Sequence, residues 1–117
     1  MNEITILVVD DEPGIIAMLS GLLKDEGYAV VTADSGREAL TLLKQIRVDL
    51  VMLDLRLPDL DGLEVLRQIR ADNANLPVIM MSAHGTIHIA VEATKLGAYD
   101  FIEKPFEPAV ERLLLVI

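Results

Sequence analysis

Apolar residues along the chain follow two different spacings. Short runs rich in β-branched residues alternate with longer segments in which apolar positions recur every three or four residues, and Gly, Pro, Asp and Asn stand between them. The first spacing is typical of strands and the second of helices. The pattern predicts five strands, over Ile4–Val9, Ala29–Ala33, Leu50–Asp54, Pro77–Ser82 and Tyr99–Glu103.

A helix is predicted after each strand, and several helix ends carry their own signals. The segments 35–38 (Ser-Gly-Arg-Glu) and 61–64 (Asp-Gly-Leu-Glu) have the form of capping boxes that open the second and third helices. The fourth helix is predicted over Ile87–Leu96 and ends at Gly97, in the manner of a glycine C-cap. The fifth is predicted to begin near Pro108.

Strictly alternating strands and helices favour a parallel sheet with right-handed crossovers. Five such units predict a doubly wound (βα)5 three-layer sandwich of the flavodoxin-like kind, with strand order 2-1-3-4-5. The first, third and fourth strands are nearly continuous apolar runs, as expected for strands that are covered on both faces. A chain of 117 residues suits a single domain with a core of its own.

Acidic residues end two of the central strands. Asp54 closes the run 50–53, and Asp10 and Asp11 follow the run 7–9. In the predicted strand order these ends meet at the switch point, where such sheets bind ligands. Like charges in one crevice need a proton or a metal cation. Asp10 or Asp11 could instead cap the helix that begins near Pro13, a common role for aspartate.

Composition excludes several classes of site. The formal charge of −9 repels nucleic-acid phosphates, so we expect no direct binding to nucleic acid by this fragment. Cysteine is absent, which excludes disulfides and thiolate metal sites. We also expect no membrane segment, because no apolar stretch approaches the length of a span. The first residues lack the basic region of a signal peptide, which favours a cytoplasmic location.

Four short motifs stand in order at the predicted strand ends. They are residues 8–12 (Val-Val-Asp-Asp-Glu), 54–58 (Asp-Leu-Arg-Leu-Pro), 81–83 (Met-Ser-Ala) and 104–105 (Lys-Pro). With these motifs the chain resembles, over its whole length, the CheY-like receiver domain of two-component response regulators. The segment 97–106 is similar in particular to receivers of the NtrC and NtrX type.

The resemblance implies a phosphoacceptor and a metal site. Asp54 would be the carboxylate nucleophile that takes a phosphoryl group from the phosphohistidine of a sensor histidine kinase. Asp11, Asp54 and the backbone carbonyl of Arg56 would coordinate Mg²⁺, and Asp10 would hold it through water. An oxygen-only, partly hydrated site suits Mg²⁺. The domain would not be an enzyme in the usual sense, since it would catalyse only its own phosphorylation and dephosphorylation.

The resemblance also implies how the signal is passed on. Lys104 would pair with the phosphoryl oxygens, and a cis bond to Pro105 would place it. Ser82 would donate its hydroxyl to the phosphoryl group, and Phe101, which stands where the family has a switch aromatic, would swing inward. These movements would alter the face formed by the fourth helix, the fifth strand and the fifth helix.

The expected partners are a kinase, an output domain and a second copy of the chain. We interpret residues 1–117 as the amino-terminal receiver of a longer regulator whose output is transcriptional. In NtrC-like proteins that output is an ATPase module followed by a DNA-binding helix-turn-helix. The end of the chain, 113–117 (Leu-Leu-Leu-Val-Ile), is more apolar than one helix face can bury, which favours a linker, an output domain or a homodimer partner there.

Other functions fit the residues less well. A phosphatase of the haloacid-dehalogenase type needs a second acid two residues after the nucleophile, where this chain has Arg56. A flavin carrier of this fold needs a phosphate-binding loop after the first strand, where acids stand instead. His84 and His88 are interpreted as solvated residues and not as zinc ligands. The remaining alternative is a protein-interaction module of the same fold that does not use phosphate.

Overall fold

The structure, a computed structural model, describes residues 4–82 and 87–103. In chain order the elements are β1 Thr5–Val9, α1 Pro13–Asp25, β2 Ala29–Ala33, α2 Gly36–Gln45, β3 Leu50–Asp54, α3 Gly62–Asp72, β4 Val78–Ser82, α4 Ile87–Lys95 and β5 Asp100–Glu103. The predicted fifth helix and the apolar end of the chain lie outside the described residues. Each element predicted within them is present.

Three strands begin one residue later than predicted. Ile4, Pro77 and Tyr99 precede the observed strands, yet each makes a hydrogen bond to the neighbouring strand. The carbonyl of Pro77, for example, accepts from the Val51 N–H at 3.0 Å, although proline has no N–H to return. The difference is therefore the usual one-residue uncertainty of strand ends. The fourth helix likewise ends at Lys95, one residue earlier than predicted.

All five strands are parallel and lie in the order β2-β1-β3-β4-β5, which confirms the predicted flavodoxin-like sandwich. In β1, Leu7 and Val9 face the cluster that includes residues of α2, α3 and α4, whereas Ile6 and Val8 face the cluster that includes α1. Alternate side chains thus supply two cores, one on each face of the sheet. The strand methionines are also fully buried: Met52, Met80 and Met81.

Ser35 is the N-cap of the second helix, but the predicted capping box is incomplete. The hydroxyl of Ser35 accepts from the Glu38 N–H at 3.2 Å, as a cap should. The carboxylate of Glu38 does not return to Ser35. It accepts instead from the N–H of Asp34 at 3.1 Å, one residue further from the helix.

The third helix also uses only half of the predicted box. Asp61 is the N-cap and accepts from the Leu63 N–H at 2.9 Å, while Glu64 pairs with Arg67 one turn later at 2.8 Å. The acid at the fourth position of the motif, Glu64, thus pairs with an arginine of its own helix. At the end of α4, Gly97 has a φ of +99°, which confirms the predicted glycine stop. Within the described part of the chain, no helix has the length and apolarity needed to span a membrane.

Candidate functional site

Two buried carboxylates lie at the ends of adjacent strands, at one edge of the sheet. Val9 of β1 is paired with Leu53 of β3, so Asp10 and Asp54 are the next residues of neighbouring strands, whose spacing is about 4.8 Å. The N–H of Asp10 still bonds to the carbonyl of Ala33 at 3.1 Å, which keeps this residue in the sheet. Asp10 is fully buried and Asp54 is 5% exposed. The sheet therefore brings together two of the predicted site residues.

Asp10, Asp11 and Glu12 form a compact acidic group. One carboxylate oxygen from each lies within 4.8 Å of the others, with Asp10 buried and the other two exposed. Glu12 was not assigned to the metal site from the sequence, although it is the third acid of the motif at 8–12. The group does not include Asp54, which reaches the site from β3.

The structure does not support helix capping by Asp10 or Asp11. The N-cap residue of α1 is Glu12, whose side chain makes no capping hydrogen bond, and Pro13 occupies the first helical turn. The carboxylate of Asp10 accepts from the N–H of Glu12 at 2.9 Å, which holds the backbone of the turn rather than the helix. With this bond in place, the acidic group stays together at the carboxyl ends of the strands.

The loop after β3 returns sharply over the end of that strand. The Leu55 N–H bonds to the carbonyl of Met81 at 2.8 Å, so the chain leaves the sheet only after Asp54. Arg56 and Asp61 then form an isolated antiparallel bridge, and the Gly62 N–H bonds back to the carbonyl of Leu55 at 2.8 Å. Arg56, the predicted carbonyl ligand, thus lies in a closed loop directly beyond Asp54.

Gly62 is packed against the backbone of the site. A Cβ placed on it would collide with the carbonyl oxygen of Asp54 and would lie 2.7 Å from the Cα of Leu55. Such distances require backbone movement, because neither neighbour is a flexible side chain. The sequence predicts Gly62 only as part of a helix start. A glycine eight residues after a strand-ending acid is too weak a signal to predict this contact.

The tip of the same loop is tied to α2 through Asp59. Its carboxylate accepts from the N–H groups of Gly36 and Arg37 at 2.8 and 3.0 Å. Burial acts to raise the pKa of Asp59, but the backbone donors, led by Arg37 and Gly36, outweigh it and hold the pKa below its ordinary value. Sequence reasoning missed this residue, because its partners are more than twenty positions away.

Ser82 and Phe101, the two predicted switch residues, lie at the end of β4 and in β5. Ser82 is 2% exposed at the end of β4, one residue beyond Met81, which is paired with Asp54. Phe101 in β5 is half-buried against the cluster on the α2–α4 side, and its N–H bonds to the carboxylate of Asp100 at 2.7 Å. Whether either residue switches stays a prediction.

Several predicted residues lie outside the described part of the chain. These are Lys104, Pro105 and His84. His88 is exposed near the start of α4, as expected for a solvated histidine. The cis peptide bond and the lysine contact therefore stay predictions.

The described atoms at this edge are suited to bind a hard cation. Carboxylate oxygens from Asp10, Asp11 and Glu12, with Asp54 on the next strand, form a donor set without sulfur or imidazole. Oxygen donors of this kind suit Mg²⁺ or Ca²⁺ rather than zinc or copper. Beside the loop lies a cavity of about 420 Å³, which is lined by Leu55, Arg56, Leu57, Asp61, Leu63 and Ile89.

Known proteins share both the sequence and this fold. Residues 6–115 match the model of the response regulator receiver domain. The nitrogen assimilation regulatory protein NtrX of Azorhizobium caulinodans is 47% identical over 113 residues, which are 95% of this chain and 24% of that protein. The chain thus spans about a quarter of the length of this relative, and the same is true of the transcriptional regulatory protein GlrR of Escherichia coli.

Solved structures of receiver domains have the same fold as this chain. The receiver domain of NtrX from Brucella abortus matches with a TM-score of 0.88 at 47% identity, over 95% of this chain and 92% of that one. The beryllofluoride-activated NtrC4 receiver domain dimer matches with a TM-score of 0.89 at 42% identity, over 95% and 90% of the two chains. The family match spans nearly the whole chain, and acids stand at the ends of β1 and β3. This chain belongs to the response regulator receiver domain family and is of the NtrC and NtrX type.

Proposed function

We propose that this domain accepts a phosphoryl group on Asp54 from a sensor histidine kinase and passes the signal to an output domain. The observation that carries the proposal is the pairing of β1 with β3, which sets the buried Asp54 beside the buried Asp10 and its acidic neighbours. A buried carboxylate among other carboxylates is unfavourable unless a proton or a cation offsets the charge, and such clusters are candidates for functional sites.

In the proposed reaction a carboxylate oxygen of Asp54 attacks the phosphorus of phosphohistidine. The bond between phosphorus and the imidazole nitrogen breaks, the electron pair stays on the histidine, and an acyl phosphate forms on Asp54. The reaction needs positioning and charge neutralisation more than covalent help. The domain would therefore promote only its own phosphorylation and dephosphorylation.

The acidic group would hold Mg²⁺, which neutralises charge on the transferring phosphoryl group. Asp11, Asp54 and the backbone carbonyl of Arg56 would be the direct ligands, and Asp10 would contribute through water. Glu12 adds a third carboxylate at the exposed side of the group. The closed loop beyond Asp54 supports the assignment of Arg56, because the bridge to Asp61 limits the directions that its carbonyl can take.

Ser82 and Lys104 would bind the phosphoryl oxygens once the group is on Asp54. The burial of Ser82 at the end of β4 supports this role for its hydroxyl. Its movement toward the phosphoryl group would pull on the chain that leads into α4, and the side chain of Phe101 would then swing inward. The altered face of α4, β5 and the fifth helix would then control the output domain.

We infer a transcriptional output from the relatives, which are named as transcriptional or nitrogen assimilation regulators and are about four times as long as this chain. A receiver dimer is named for activated NtrC4, and a homodimer of this domain is proposed on the same basis. Because the net charge is −9, DNA contact would be made by the output domain and not by the receiver.

The proposal is tested by intact-mass analysis after incubation with acetyl phosphate. We expect one added phosphate on the wild type in Mg²⁺, none in EDTA, and none on Asp54→Asn. Asp25→Asn, which changes an exposed carboxylate at the end of α1, is the matched control and should be phosphorylated as the wild type is.

Phosphate on Asp54→Asn would contradict the assignment of the phosphoacceptor. A folded wild type that takes no phosphate from acetyl phosphate, from a phosphohistidine donor or as the beryllofluoride analogue would instead favour an interaction module of the same fold that does not use phosphate.

A further inference from the structure

The carboxylate of Asp59 joins two segments that are distant in sequence. One oxygen accepts from the N–H of Gly36 at 2.8 Å, and the other from the N–H of Arg37 at 3.0 Å. The Arg37 side chain approaches the same carboxylate at 3.7 Å but is 79% exposed, so its contribution is small. The connection therefore depends on the backbone of α2, which presents unsatisfied N–H groups and a partial positive charge at its start.

This end of α2 is closely packed on the loop and on α3. A Cβ on Gly36 would lie 2.8 Å from a methyl of Val65 and 3.1 Å from the Cβ of Leu60. Gly36 is buried, and Leu60 is the residue after Asp59. The carboxylate of Asp59 thus fastens the loop to a surface that already fits it, and does not reach across open solvent.

The loop from Leu55 to Asp61 is held at its base and at its tip. The base is fixed by the bond from Leu55 to Met81 and by the return bond from Gly62 to Leu55. The tip is fixed by Asp59. Arg56 lies between these anchors and is bridged to Asp61, so loss of the tip anchor would leave fewer restraints on the direction of its backbone carbonyl.

We propose that Asp59 is a positioning residue for the site, which holds the Arg56 carbonyl in the direction needed to bind Mg²⁺ by fastening the loop tip to α2. The inference rests on the proposed function, since it concerns a ligand of that metal. A carbonyl that is already oriented binds without the entropy loss of ordering the loop at the same moment. Asp59 would therefore act on metal affinity and not on the chemical step.

The test compares two caps of the same helix end. Asp59→Ala removes the bonds to Gly36 and Arg37, whereas Ser35→Ala removes the bond to Glu38 and leaves the loop fastened. Mg²⁺ affinity is measured on the full chain by an NMR titration, in which the Gly36 and Arg37 amide signals also report the tether. Outer-shell substitutions lower metal affinity about 10–100-fold, and we expect the lower end, about tenfold, for Asp59→Ala.

Three further measurements distinguish a positioning role of Asp59 from a general structural effect. Ser35→Ala should bind Mg²⁺ within about twofold of the wild type, because its helix end is weakened without a change in the loop. Asp59→Asn, which keeps one acceptor oxygen, should be intermediate and serves if the alanine variant does not fold. The rate of phosphorylation by acetyl phosphate should fall in Asp59→Ala at low Mg²⁺ and return to the wild-type rate when Mg²⁺ is saturating.

The outcomes separate the inference from the function on which it rests. Wild-type affinity in a folded Asp59→Ala variant, or an equal loss in Ser35→Ala, would overturn the positioning role while Asp54 remained the phosphoacceptor. A rate that stays low at saturating Mg²⁺ would also overturn it, because the defect would then lie in the chemical step. A wild type that binds no Mg²⁺ would refute the proposed metal site, and the inference with it.

Discussion

Two regions beside the site are held in place in different ways. The loop side consists of residues 55–61 and α3, and the α4 side consists of α4 and the turn that leads to β5. On the loop side, α3 buries Gly62, Val65, Leu66 and Ile69, and the loop before it contacts β3 through backbone atoms. On the other side, Ala93 is the one fully buried residue among the described side chains of α4. A buried alanine removes far less apolar surface from water than the leucine, isoleucine and valine of α3.

On the α4 side an arginine of α3 adds to this smaller core. The Nε and Nη2 of Arg70 in α3 donate to the carbonyl of Gly97 at 3.0 and 2.7 Å, and its Nη1 donates to the carbonyl of Asn73 at 3.2 Å. Burial lowers the pKa of Arg70, yet an arginine stays charged at neutral pH. The turn after α4 is thus fastened to the end of α3 by charged hydrogen bonds, in addition to the partly buried Leu96 and Ala98, which pack against the core.

The difference indicates which part of the domain can move at low cost. Elements with few buried apolar contacts open with smaller free energies than the core does. A site whose loop is packed on backbone keeps its geometry, while α4 can shift without breaking a large core. This division suits the proposed function, in which phosphorylation at a fixed site alters the α4 face.

The largest expected effect is on the loop side. Gly62→Ala forces a Cβ into the backbone of Asp54 and Leu55, and we expect a loss of about 2–3 kcal/mol in the free energy of unfolding, as for other overpacked sites. Urea unfolding measures it.

The matched control is Gly21→Ala in α1, where an added Cβ meets nothing within 4 Å. There we expect a gain of about 0.5–1 kcal/mol from helix propensity. Equal effects at the two glycines would show that the loop is not packed as tightly as described.

A smaller and more local effect is expected on the α4 side. Arg70→Ala removes the bonds to Gly97 and Asn73, and should lower the opening free energy of the α4–β5 turn by about 1 kcal/mol, since water can replace part of each bond at an exposed carbonyl. Amide hydrogen exchange of residues 93–99 measures it.

Arg67→Ala, one turn earlier on the same helix, loses only the exposed pair with Glu64 and should change exchange little. If Arg70→Ala destabilised the whole domain as much as Gly62→Ala does, the two sides would not differ in the way we infer.

The smallest expected effect is the release of the loop tip when Asp59 is protonated at low pH. The folded pKa of Asp59 is below its ordinary value, so the stabilisation from its ionised form is present above that value, about 3.9, and is lost as the pH falls through the folded pKa. Arg70 does not titrate in this range, so acid should release the Asp59 tether and leave the Gly97 contact intact.

An NMR titration of the Gly36 and Arg37 amides measures the transition, and Asp59→Asn should abolish it. A midpoint at or above the ordinary value for aspartate would contradict the described hydrogen bonds.

Local sequence predicted most of the fold because its signals are periodic. Continuous apolar runs identified the three buried strands, and the acids that end the first and third indicated the site before any contact was known. The capping segments were only half right, since the partner of Glu38 is Asp34 and the partner of Glu64 is Arg67. Short motifs predict that a helix begins, but the acceptor that each side chain chooses depends on rotamers and neighbours.

By itself the sequence determined the order of strands and helices, the family, and the acids that face one edge of the sheet. Alternation of strand and helix leaves few arrangements of a parallel sheet, so these features follow from local pattern. Tertiary structure alone decided the contacts of Asp59, Gly62 and Arg70. Their partners lie on other elements or on the backbone, and such contacts depend on distances that arise only when the elements pack together.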